Sequence, residues 1–516
     1  MNLSFVSILV FLINSVASFN ILAIYPYNGK SHSLVFRVLL RELATKGHNI
    51  TVISHYPEED PPENYHDISL AGSMRAVEGA VSIPFPTNHF KRYLNIAIAG
   101  WYLVKSGERT CEVLLENKQV QDLINSKPKF DVIVLELFQS DCALGVAHIL
   151  GAPVVGTASS IFLPFHYDRF GIPYNPSYVP FHFLEGGTKP NLIQRLERVV
   201  FNFYMKSIFY WVSQRANQNT LAKYFDGIPP LEDLGREMKL VLAYQNFVLT
   251  GSRIQPANVI DVAAYHVDKT KPLTGDLKEF VEQAKEGVIY INFGSMMKTS
   301  SLPADKVEAI LGAMNEFPHR FIWKWEDKTL KYDKNKLFIN SWLPQVDILG
   351  HPKTLAFYSH AGMGGTSEAI HFGVPMVAMP AFGDQPSNAA AIEEAGFGVQ
   401  LHLRDLTKDS LVAALKKVLD PGFQAKAKEV SSAWHDRPQT ALETAVFWIE
   451  FVARHPNLTY RTAAADVPFY QYYCLDIAAV FLSLLGSFLF LISLCRGSKK
   501  SVPEPRRQKT KKSKRE

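Results

Sequence analysis

A short apolar stretch that enters a helix through a glycine-rich loop constrains the fold of this chain most. Residues 355–359 predict a buried strand, residues 360–365 (HAGMGG) a flexible loop, and residues 366–371 the start of a helix. Strand, loop and helix in this order are typical of parallel α/β sheets. Free N–H groups and the dipole at a helix N-terminus favour an anion. The stretch therefore predicts an α/β fold with an anion site, and a pyrophosphate is the expected anion.

Aromatic and polar residues flank this loop in an order that suits a nucleotide sugar. Trp342 offers a flat face to a base, with Gln345 shortly after it, and Glu368 can accept both vicinal hydroxyls of a ribose. Asp384 and Gln385 follow the next predicted strand and can hold sugar hydroxyls. Each feature alone is weak evidence, because glycine-rich turns and buried tryptophans are common. The ordered set predicts a nucleotide-sugar site.

Residues 342–388 resemble the signature of the UDP-glycosyltransferases, the inverting family that plants and animals share. The resemblance extends from residues 287–295 (GVIYINFGS) to residues 436–455 (DRPQTALETAVFWIEFVARH) and to an apolar segment near the C-terminus. The chain is most similar to the membrane-bound animal members of glycosyltransferase family 1, on their invertebrate side. The resemblance implies a metal-independent transferase that needs no cofactor besides its UDP-sugar co-substrate.

The resemblance also implies a role for each residue of the donor site. Two positions depart from the family pattern: Ala361 replaces a glycine, and Gly364 replaces an asparagine or another polar residue. Alanine adopts positive φ less easily than glycine, so the loop is expected to be slightly re-formed. The implied donor-site residues are Trp342 for uracil, Gln345 beside it, Glu368 for ribose, His360 for pyrophosphate, Ser295, Gly362, Gly364 and Gly365 around the phosphates, and Asp384 and Gln385 for the transferred sugar.

His32 is the candidate catalytic base. It follows the first predicted strand, residues 19–25, across the loop 26–31, and the family places its base on this loop. A neutral imidazole can take the proton of an attacking hydroxyl. Its partner carboxylate is either Asp141 or Glu136. Direct alignment favours Glu136, whereas the family's usual Asp and a loop one residue longer favour Asp141, which we prefer.

Alternating strands and helices predict two α/β halves joined by a linker at residues 265–275. The resemblance implies the GT-B fold, in which two Rossmann-like domains face a cleft. The expected domains are an acceptor-binding domain at residues 19–266 and a UDP-sugar-binding domain at residues 267–455. A juxtamembrane segment at residues 456–476 is expected to follow.

Both ends of the chain predict passage into a membrane system. Residues 1–18 are typical of a secretory signal peptide, although a basic residue near the start is missing. Residues 477–495 carry no charge and can span a bilayer, and the basic tail, residues 496–516, is expected in the cytoplasm. Lys512 and Lys514 resemble a dilysine retrieval signal. We expect a single-pass type I protein of the endoplasmic reticulum membrane with its body in the lumen.

Charge and cysteine content exclude several other classes of protein. The formal net charge is +5, but the tail holds ten Lys/Arg and two Asp/Glu, so the other 495 residues carry −3. No nucleic-acid surface is implied. Cys111 and Cys142 allow at most one disulfide in the lumenal body, and no cysteine spacing indicates a metal site. Asn49 and Asn457 begin glycosylation sequons, of which Asn457 is expected to be more accessible.

The expected reaction is inverting transfer of a hexose to a hydroxyl of a small lipophilic acceptor such as a phenol, flavonoid or steroid. The resemblance to the invertebrate members of the family implies that the hexose is glucose. Residues 162–183 and 201–211 are rich in Phe, Tyr and Pro and suit an acceptor pocket, a core or a membrane-contacting surface equally well. The alternative is a weakly active or inactive protein that binds lipophiles or nucleotide sugars, favoured by Ala361 and Gly364. A homo-oligomer is compatible with either function.

Overall fold

A computed structural model describes residues 18–75, 77, 79, 81–82, 89–267 and 269–497. The predicted signal segment lies outside the described residues apart from Ser18, as does the tail beyond Gly497. The described residues form two compact units, which divide after Thr462.

Strands and helices alternate along much of the chain. The strands are β1 Asn20–Tyr25, β2 Asn49–Ser54, β3 Tyr65–Ser69, β4 Val81–Ser82, β5 Val132–Glu136, β6 Val154–Thr157, β7 Leu240–Ala243, β8 Val259–Asp261, β9 Val288–Asn292, β10 Met297–Lys298, β11 Arg320–Lys324, β12 Leu337–Asn340, β13 Thr354–Ser359, β14 Met376–Ala378 and β15 Gly398–Gln400. The α-helices are α1 Lys30–Thr45, α2 His89–Glu116, α3 Lys118–Ser126, α4 Cys142–Leu150, α5 Leu192–Ile208, α6 Arg215–Leu221, α7 Leu231–Arg236, α8 Phe247–Thr250, α9 Gly275–Glu282, α10 Ala304–Met314, α11 Gln345–Leu349, α12 Met363–Phe372, α13 Gln385–Glu394, α14 Lys408–Leu419, α15 Pro421–His435, α16 Ala441–Arg454, α17 Phe469–Tyr472 and α18 Leu475–Gly497.

Two parallel sheets organise the first unit. The first has the strand order β3-β2-β1-β5-β6-β7-β8, and the second has the order β12-β11-β9-β13-β14-β15. The central strands β5 and β9 are buried along their whole length and apolar up to a polar last residue, as expected for strands covered by helices on both faces. In the first sheet β2 and β3 lie on one side of β1, and β5 to β8 lie on the other. In the second sheet β11 and β12 lie on one side of β9, and β13 to β15 lie on the other. The expectation of two Rossmann-like halves is confirmed.

Two helices begin earlier than the sequence predicts, and both changes affect the site. α1 begins at Lys30, so His32 lies in its first turn and not in a loop. α12 begins at Met363, which places Gly364 and Gly365 inside the helix and Glu368 beyond its first turn. The apolar periodicity marks the buried face of a helix better than its first turn: the first turn of α1 is polar, and in α12 two glycines follow Met363.

The helix α16 returns from the second sheet to pack on the first. A capping box between Thr440 and Glu443 starts it, since each side chain hydrogen-bonds the other's backbone N–H. Further along, Glu450 Oε1 lies 3.1 Å from His48 Nε2, which is fully buried at the end of the turn before β2. This contact ties the C-terminal helix of the unit to the first domain.

The aromatic segments divide between core and surface. Phe165 and Phe209 stack face to face with ring centroids 3.7 Å apart in a buried cluster that also holds Phe181. Phe203 and Trp211, on or just after α5, are 75% and 62% exposed. The segment 162–183 therefore lies largely in the core of the first domain, whereas the segment 201–211 has aromatic rings both in the core and on the surface.

The second unit contains an apolar helix that is long enough for a membrane. Residues Leu475–Arg496 have a mean hydropathy of 2.5, and none of them is buried within the unit. At about 1.5 Å per residue, these 22 residues reach about 33 Å, which matches the apolar thickness of a bilayer. The helix is two residues longer at each end than the predicted span 477–495.

A buried disulfide joins Cys111 in α2 to Cys142 at the start of α4. Both residues are fully buried, and the bridge closes a segment of 31 residues. Disulfides of this kind persist in oxidising compartments and are rare in the cytosol.

We expect the double substitution Cys111→Ala with Cys142→Ala to lower the free energy of unfolding by about 3–4 kcal/mol, because the bridge restricts the unfolded chain. Denaturant titration of the two proteins without reductant measures this difference. Reductant should destabilise the parent protein to the level of the variant and leave the variant unchanged. Equal midpoints without reductant would contradict the prediction.

Candidate functional site

The predicted site residues follow the carboxyl ends of the central strands of both sheets. Ligands bind at such ends where the strand order reverses. His32 lies just beyond β1, and Glu136 is the last residue of β5, its neighbour in the sheet. In the second sheet the corresponding ends, those of β9, β13 and β14, lead to Ser295, His360 and Asp384. The topology thus brings residues that are far apart in sequence to the carboxyl edges of the two sheets.

His32 and Glu136 form a close pair. The Nδ1 atom of His32 lies 2.5 Å from Oε1 of Glu136, and their side chains are 16% and 3% exposed. Ser159, two residues after β6, donates its hydroxyl to the same carboxylate oxygen at 3.0 Å and lies 2.8 Å from Nδ1. The rings of Tyr27 and Phe138 pack against the imidazole with centroids at 4.7 Å. The ring is therefore held with Nδ1 toward the carboxylate, and Nε2 forms no hydrogen bond to a described residue.

The preference for Asp141 as the partner of His32 is wrong. Both Asp141 oxygens accept hydrogen bonds from Arg169, at 2.9 Å from Nη1 and 2.5 Å from Nη2. Burial lowers the pKa of Arg169, but the carboxylates of Asp141 and Glu232 outweigh burial and raise it. Asp141 is thus the counter-ion of a fully buried arginine, and Glu136 takes the place beside the imidazole.

His360 is enclosed by two glycines. A Cβ atom on Gly294 or Gly362 would lie 2.5 or 2.6 Å from its Nε2 atom, so only glycine fits at either position. Burial, followed by the charge of Lys324, lowers the pKa of His360 to about 4. The imidazole is therefore neutral near pH 7 and can offer a hydrogen bond without carrying charge.

The loop after His360 contains a strained alanine. Ala361 has φ 62°, a left-handed conformation that glycine adopts more easily, and it is fully buried. Asn388 holds it by donating to the Ala361 carbonyl at 3.0 Å. Ala361 therefore keeps a backbone conformation that costs more for alanine than for glycine. A Cβ on Gly364 would meet nothing within 4 Å, so the position where the family pattern has a polar side chain is open.

Asp384 and Gln385 have different environments. Asn388 donates to Asp384 Oδ2 at 2.8 Å, whereas Gln385 Oε1 accepts from the backbone N–H groups of Ala381 and Phe382. Burial raises the pKa of Asp384, while the bond from Asn388 and the charge of His32 lower it. The Asp384 carboxylate is thus buried and held by Asn388, and the Gln385 carbonyl oxygen shapes the turn before α13.

Trp342 faces the first domain. Its side chain is 47% exposed, and Nζ of Lys30 lies 4.0 Å from the ring centroid. Lys30 opens α1, the helix that carries His32. This cation–π contact places the ring that is predicted to stack on uracil beside the helix that carries His32, the candidate catalytic base.

Glu368 and Gln345 belong to one hydrogen-bond chain. Gln345 Nε2 donates to Glu368 Oε2 at 2.6 Å, and Asn292 Nδ2 donates to Gln345 Oε1 at 2.6 Å. Asn292 Oδ1 in turn accepts from the backbone N–H of Gly294 at 2.9 Å. The predicted ribose and uracil side of the site is thus linked to the loop beside His360. Ser295, next in that loop, accepts from the Gly79 N–H of the first domain at 2.9 Å through its carbonyl.

Several residues that build the site were missed by sequence reasoning. Ser159, Asn388 and His266 touch Glu136, Ala361 and Glu368 respectively. Asn388 closes the signature segment, and its position four residues after Asp384 was an available signal. Ser159 and His266 carry none, because their partners are 23 and 102 residues away.

Comparison with known proteins matches this architecture. The sequence model of the family described as "UDP-glucoronosyl and UDP-glucosyl transferase" covers residues 21–499. The chain belongs to this family of UDP-glycosyltransferases. It is 31% identical over 485 residues to UDP-glucosyltransferase 2 of Dactylopius coccus, covering 92% of each chain. It is 30% identical over 520 residues to UDP-glucuronosyltransferase 2A2 of Homo sapiens, covering 95% of this chain and 94% of that protein.

A solved structure supports the same fold for this UDP-glycosyltransferase. The UDP-glucosyltransferase from Polygonum tinctorium, described as capable of glucosylating indoxyl, has a TM-score of 0.55 and 15% sequence identity. The alignment covers 85% of this chain and 99% of that one. The expected GT-B fold is confirmed: this UDP-glycosyltransferase has two parallel α/β domains, and its chain also carries one apolar C-terminal helix.

Proposed function

We propose that this UDP-glycosyltransferase moves a hexose, glucose by preference, from its UDP-sugar to a hydroxyl of a small lipophilic acceptor, with inversion at the anomeric carbon. The observation that carries the proposal is the His32–Glu136 pair at the edge of the first sheet, near Asp384 of the second. A binding protein would have no use for a base oriented in this way. The glucosyltransferase among the relatives supports glucose as the donor sugar.

The proposed reaction is a single displacement. Nε2 of His32 takes the proton of the acceptor hydroxyl, and the oxygen forms a bond to the anomeric carbon. The bond from that carbon to the β-phosphate oxygen breaks, and UDP leaves with its electron pair. Nδ1 of His32 donates to Glu136, whose charge stabilises the imidazolium that forms.

The leaving phosphate is assigned to the N-terminus of α12. Free N–H groups and the helix dipole favour a phosphate there, and the neutral His360 beside it can donate a further hydrogen bond. Gly362 is the N-cap, and the open space at Gly364 lets the phosphate approach the backbone. In this proposal the helix end and His360 supply the charge stabilisation, so no divalent metal is required.

We also propose that Trp342 stacks on uracil, Glu368 binds the ribose, and Asp384 with Gln385 holds the hexose. For Gln385 the amide nitrogen is the available group, since its carbonyl oxygen caps the turn. Lys30 must leave the Trp342 face, or share it, when a base stacks there.

The proposed location is the endoplasmic reticulum membrane, with the body in the lumen. The buried Cys111–Cys142 disulfide suits an oxidising compartment. The exposed Asn457 sequon and the apolar helix support the same orientation, and Asn49 is exposed as well. The acceptor is assigned to the space beside the rings of Tyr27 and Phe138, which pack against the imidazole of His32.

The test is glycoside formation by the detergent-solubilised protein with UDP-glucose and a panel of phenols and steroids. We expect His32→Ala to lower kcat by about 10²–10⁴-fold, the usual contribution of a general base, without loss of UDP binding. Mass spectrometry of the glycoside and calorimetric titration of UDP measure the two effects. UDP-glucuronic acid in parallel identifies the donor.

The outcome that would contradict the proposal is unchanged turnover in the His32 variant. If neither protein turns over any donor while both bind UDP, the alternative of an inactive nucleotide-sugar-binding protein is favoured.

A further inference from the structure

The carboxylate of Glu368 is held by two side chains, one from each domain. Gln345 binds Oε2 from the second domain, whereas His266, which follows β8 of the first sheet, places Nε2 2.9 Å from Oε1. The side chains of His266 and Glu368 are 8% and 10% exposed. A carboxylate oxygen has two lone pairs. Each Glu368 oxygen therefore keeps one lone pair that neither residue uses.

Tyr244 determines which nitrogen of His266 carries the proton. Its hydroxyl oxygen lies 2.5 Å from Nδ1 of His266, and the residue is fully buried directly after β7. Burial raises the pKa of Tyr244, so its hydroxyl stays protonated. When the Tyr244 hydroxyl donates to Nδ1, the ring proton of a neutral imidazole lies on Nε2 and is donated to Glu368.

We propose that His266 is a positioning residue for the ribose of the nucleotide, acting through Glu368. This inference rests on the proposed function, which assigns the ribose to Glu368. His266 and Gln345 each take one lone pair and fix the plane of the carboxylate, leaving two lone pairs for the two vicinal hydroxyls. The first domain thereby contributes to nucleotide binding without touching the nucleotide.

A merely structural tie between the domains would have a different signature. If His266 only held the domains together, its loss would weaken every nucleotide equally. If His266 orients Glu368 toward the ribose hydroxyls, its loss should weaken the binding of UDP. It should leave unchanged the binding of an analogue that lacks those hydroxyls. 2′,3′-Dideoxy-UDP is such an analogue, and its binding also reports whether a variant is folded.

The experiment is calorimetric titration of the full-length protein in detergent with UDP and with dideoxy-UDP. We expect His266→Ala to weaken UDP binding by about tenfold, because one hydrogen bond to a charged group is lost. The binding of dideoxy-UDP should weaken by less than twofold. His266→Gln keeps an N–H at the end of the side chain and should recover most of the affinity. In turnover, the Ala variant should show a raised KM for the donor with kcat unchanged.

Two results would overturn the inference: equal weakening of both ligands by His266→Ala, or no weakening of either. Glu368→Gln separates this failure from failure of the proposed function. If Glu368→Gln does not change the preference for UDP over dideoxy-UDP, the ribose assignment is wrong. If it removes that preference while His266→Ala does not, the ribose assignment stands and the positioning role of His266 is wrong.

Discussion

Asp141→Asn will lower the free energy of unfolding by about 3 kcal/mol and leave kcat within a few-fold of the parent value. The substitution leaves the fully buried Arg169 with only Glu232 as a charged partner, 2.9 Å away. Breaking a buried pair usually costs about 3–5 kcal/mol, because a buried charge is left uncompensated. Glu232 places the expected value at the lower end of that range.

Glu136→Gln will have the opposite effects, a large loss of kcat and little change in stability. The amide keeps the shape of the side chain, so stability should change by less than about 1 kcal/mol. The charge that stabilises the imidazolium of His32 is lost, and kcat should fall by about 10²–10⁴-fold. Denaturant titration and initial rates at a temperature where all proteins are folded measure both quantities.

Asp168→Asn is the matched control for these two variants. Asp168 pairs with Lys206 at 2.6 Å, but its side chain is 58% exposed. An exposed pair contributes at most about 1 kcal/mol, so this variant should change neither stability nor kcat appreciably. If Asp141→Asn instead abolished turnover without loss of stability, Asp141 and not Glu136 would be the partner of His32.

The contrast between Asp141 and Glu136 shows where sequence reasoning about the site reached its limit. Spacing located both carboxylates after the same strand. It could not show which of them points toward β1, because that depends on Arg169, which is 28 residues away and occupies Asp141. The choice was decided by a tertiary ion pair, and no local pattern reports such a pair.

The two α/β halves were predictable for a physical reason. Buried parallel strands such as β5 and β9 are continuous apolar runs, and the loops after them carry the glycines that a close approach requires. Those signals are local in sequence. Helix starts were less accurate: the first turn of α1 is polar, and in α12 two glycines follow the single apolar residue Met363, so both predicted helices began too late.

Supporting contacts between distant segments could not be predicted at all. His266 lies in the segment assigned as a linker, and nothing in that segment indicates its contact with Glu368. The missing glycine at Ala361 pointed to an altered loop, but neither the positive φ that the alanine adopts nor the hydrogen bond from Asn388 that holds it was predicted. A prediction from one sequence therefore reached the residues proposed to touch the ligand and missed those that hold them.

Acid will destabilise the folded protein well above the pH at which most carboxylates titrate. Burial lowers the pKa of His182 to about 3 and that of His360 to about 4. Burial and the charge of Arg169 lower the pKa of His166 well below its ordinary value. In the unfolded chain these imidazoles titrate near pH 6.5. Between pH 6.5 and about 4 the unfolded state therefore binds more protons than the folded state.

The sign of the effect follows from that difference in bound protons. A group with a lowered folded pKa that must stay neutral contributes its full stability above pH 6.5 and loses it as the pH falls. We expect each of the three histidines to contribute about 1–2 kcal/mol between pH 7 and pH 5, or roughly 3–6 kcal/mol together. Carboxyls with a raised pKa, such as Asp67 and Asp261, act in the opposite direction at lower pH.

Urea titrations at pH 7, 6 and 5 measure this loss, and His182→Gln is the variant that assigns it. Glutamine does not titrate, so the loss of stability between pH 7 and pH 5 should be smaller by about 1–2 kcal/mol in the variant. His148→Gln, at an exposed position of α4, is the matched control for the exchange of a histidine for a glutamine. A stability that is flat from pH 7 to pH 5 would mean that these imidazoles titrate in the folded protein as they do in the unfolded chain, so that His360 would not stay neutral below about pH 6.5.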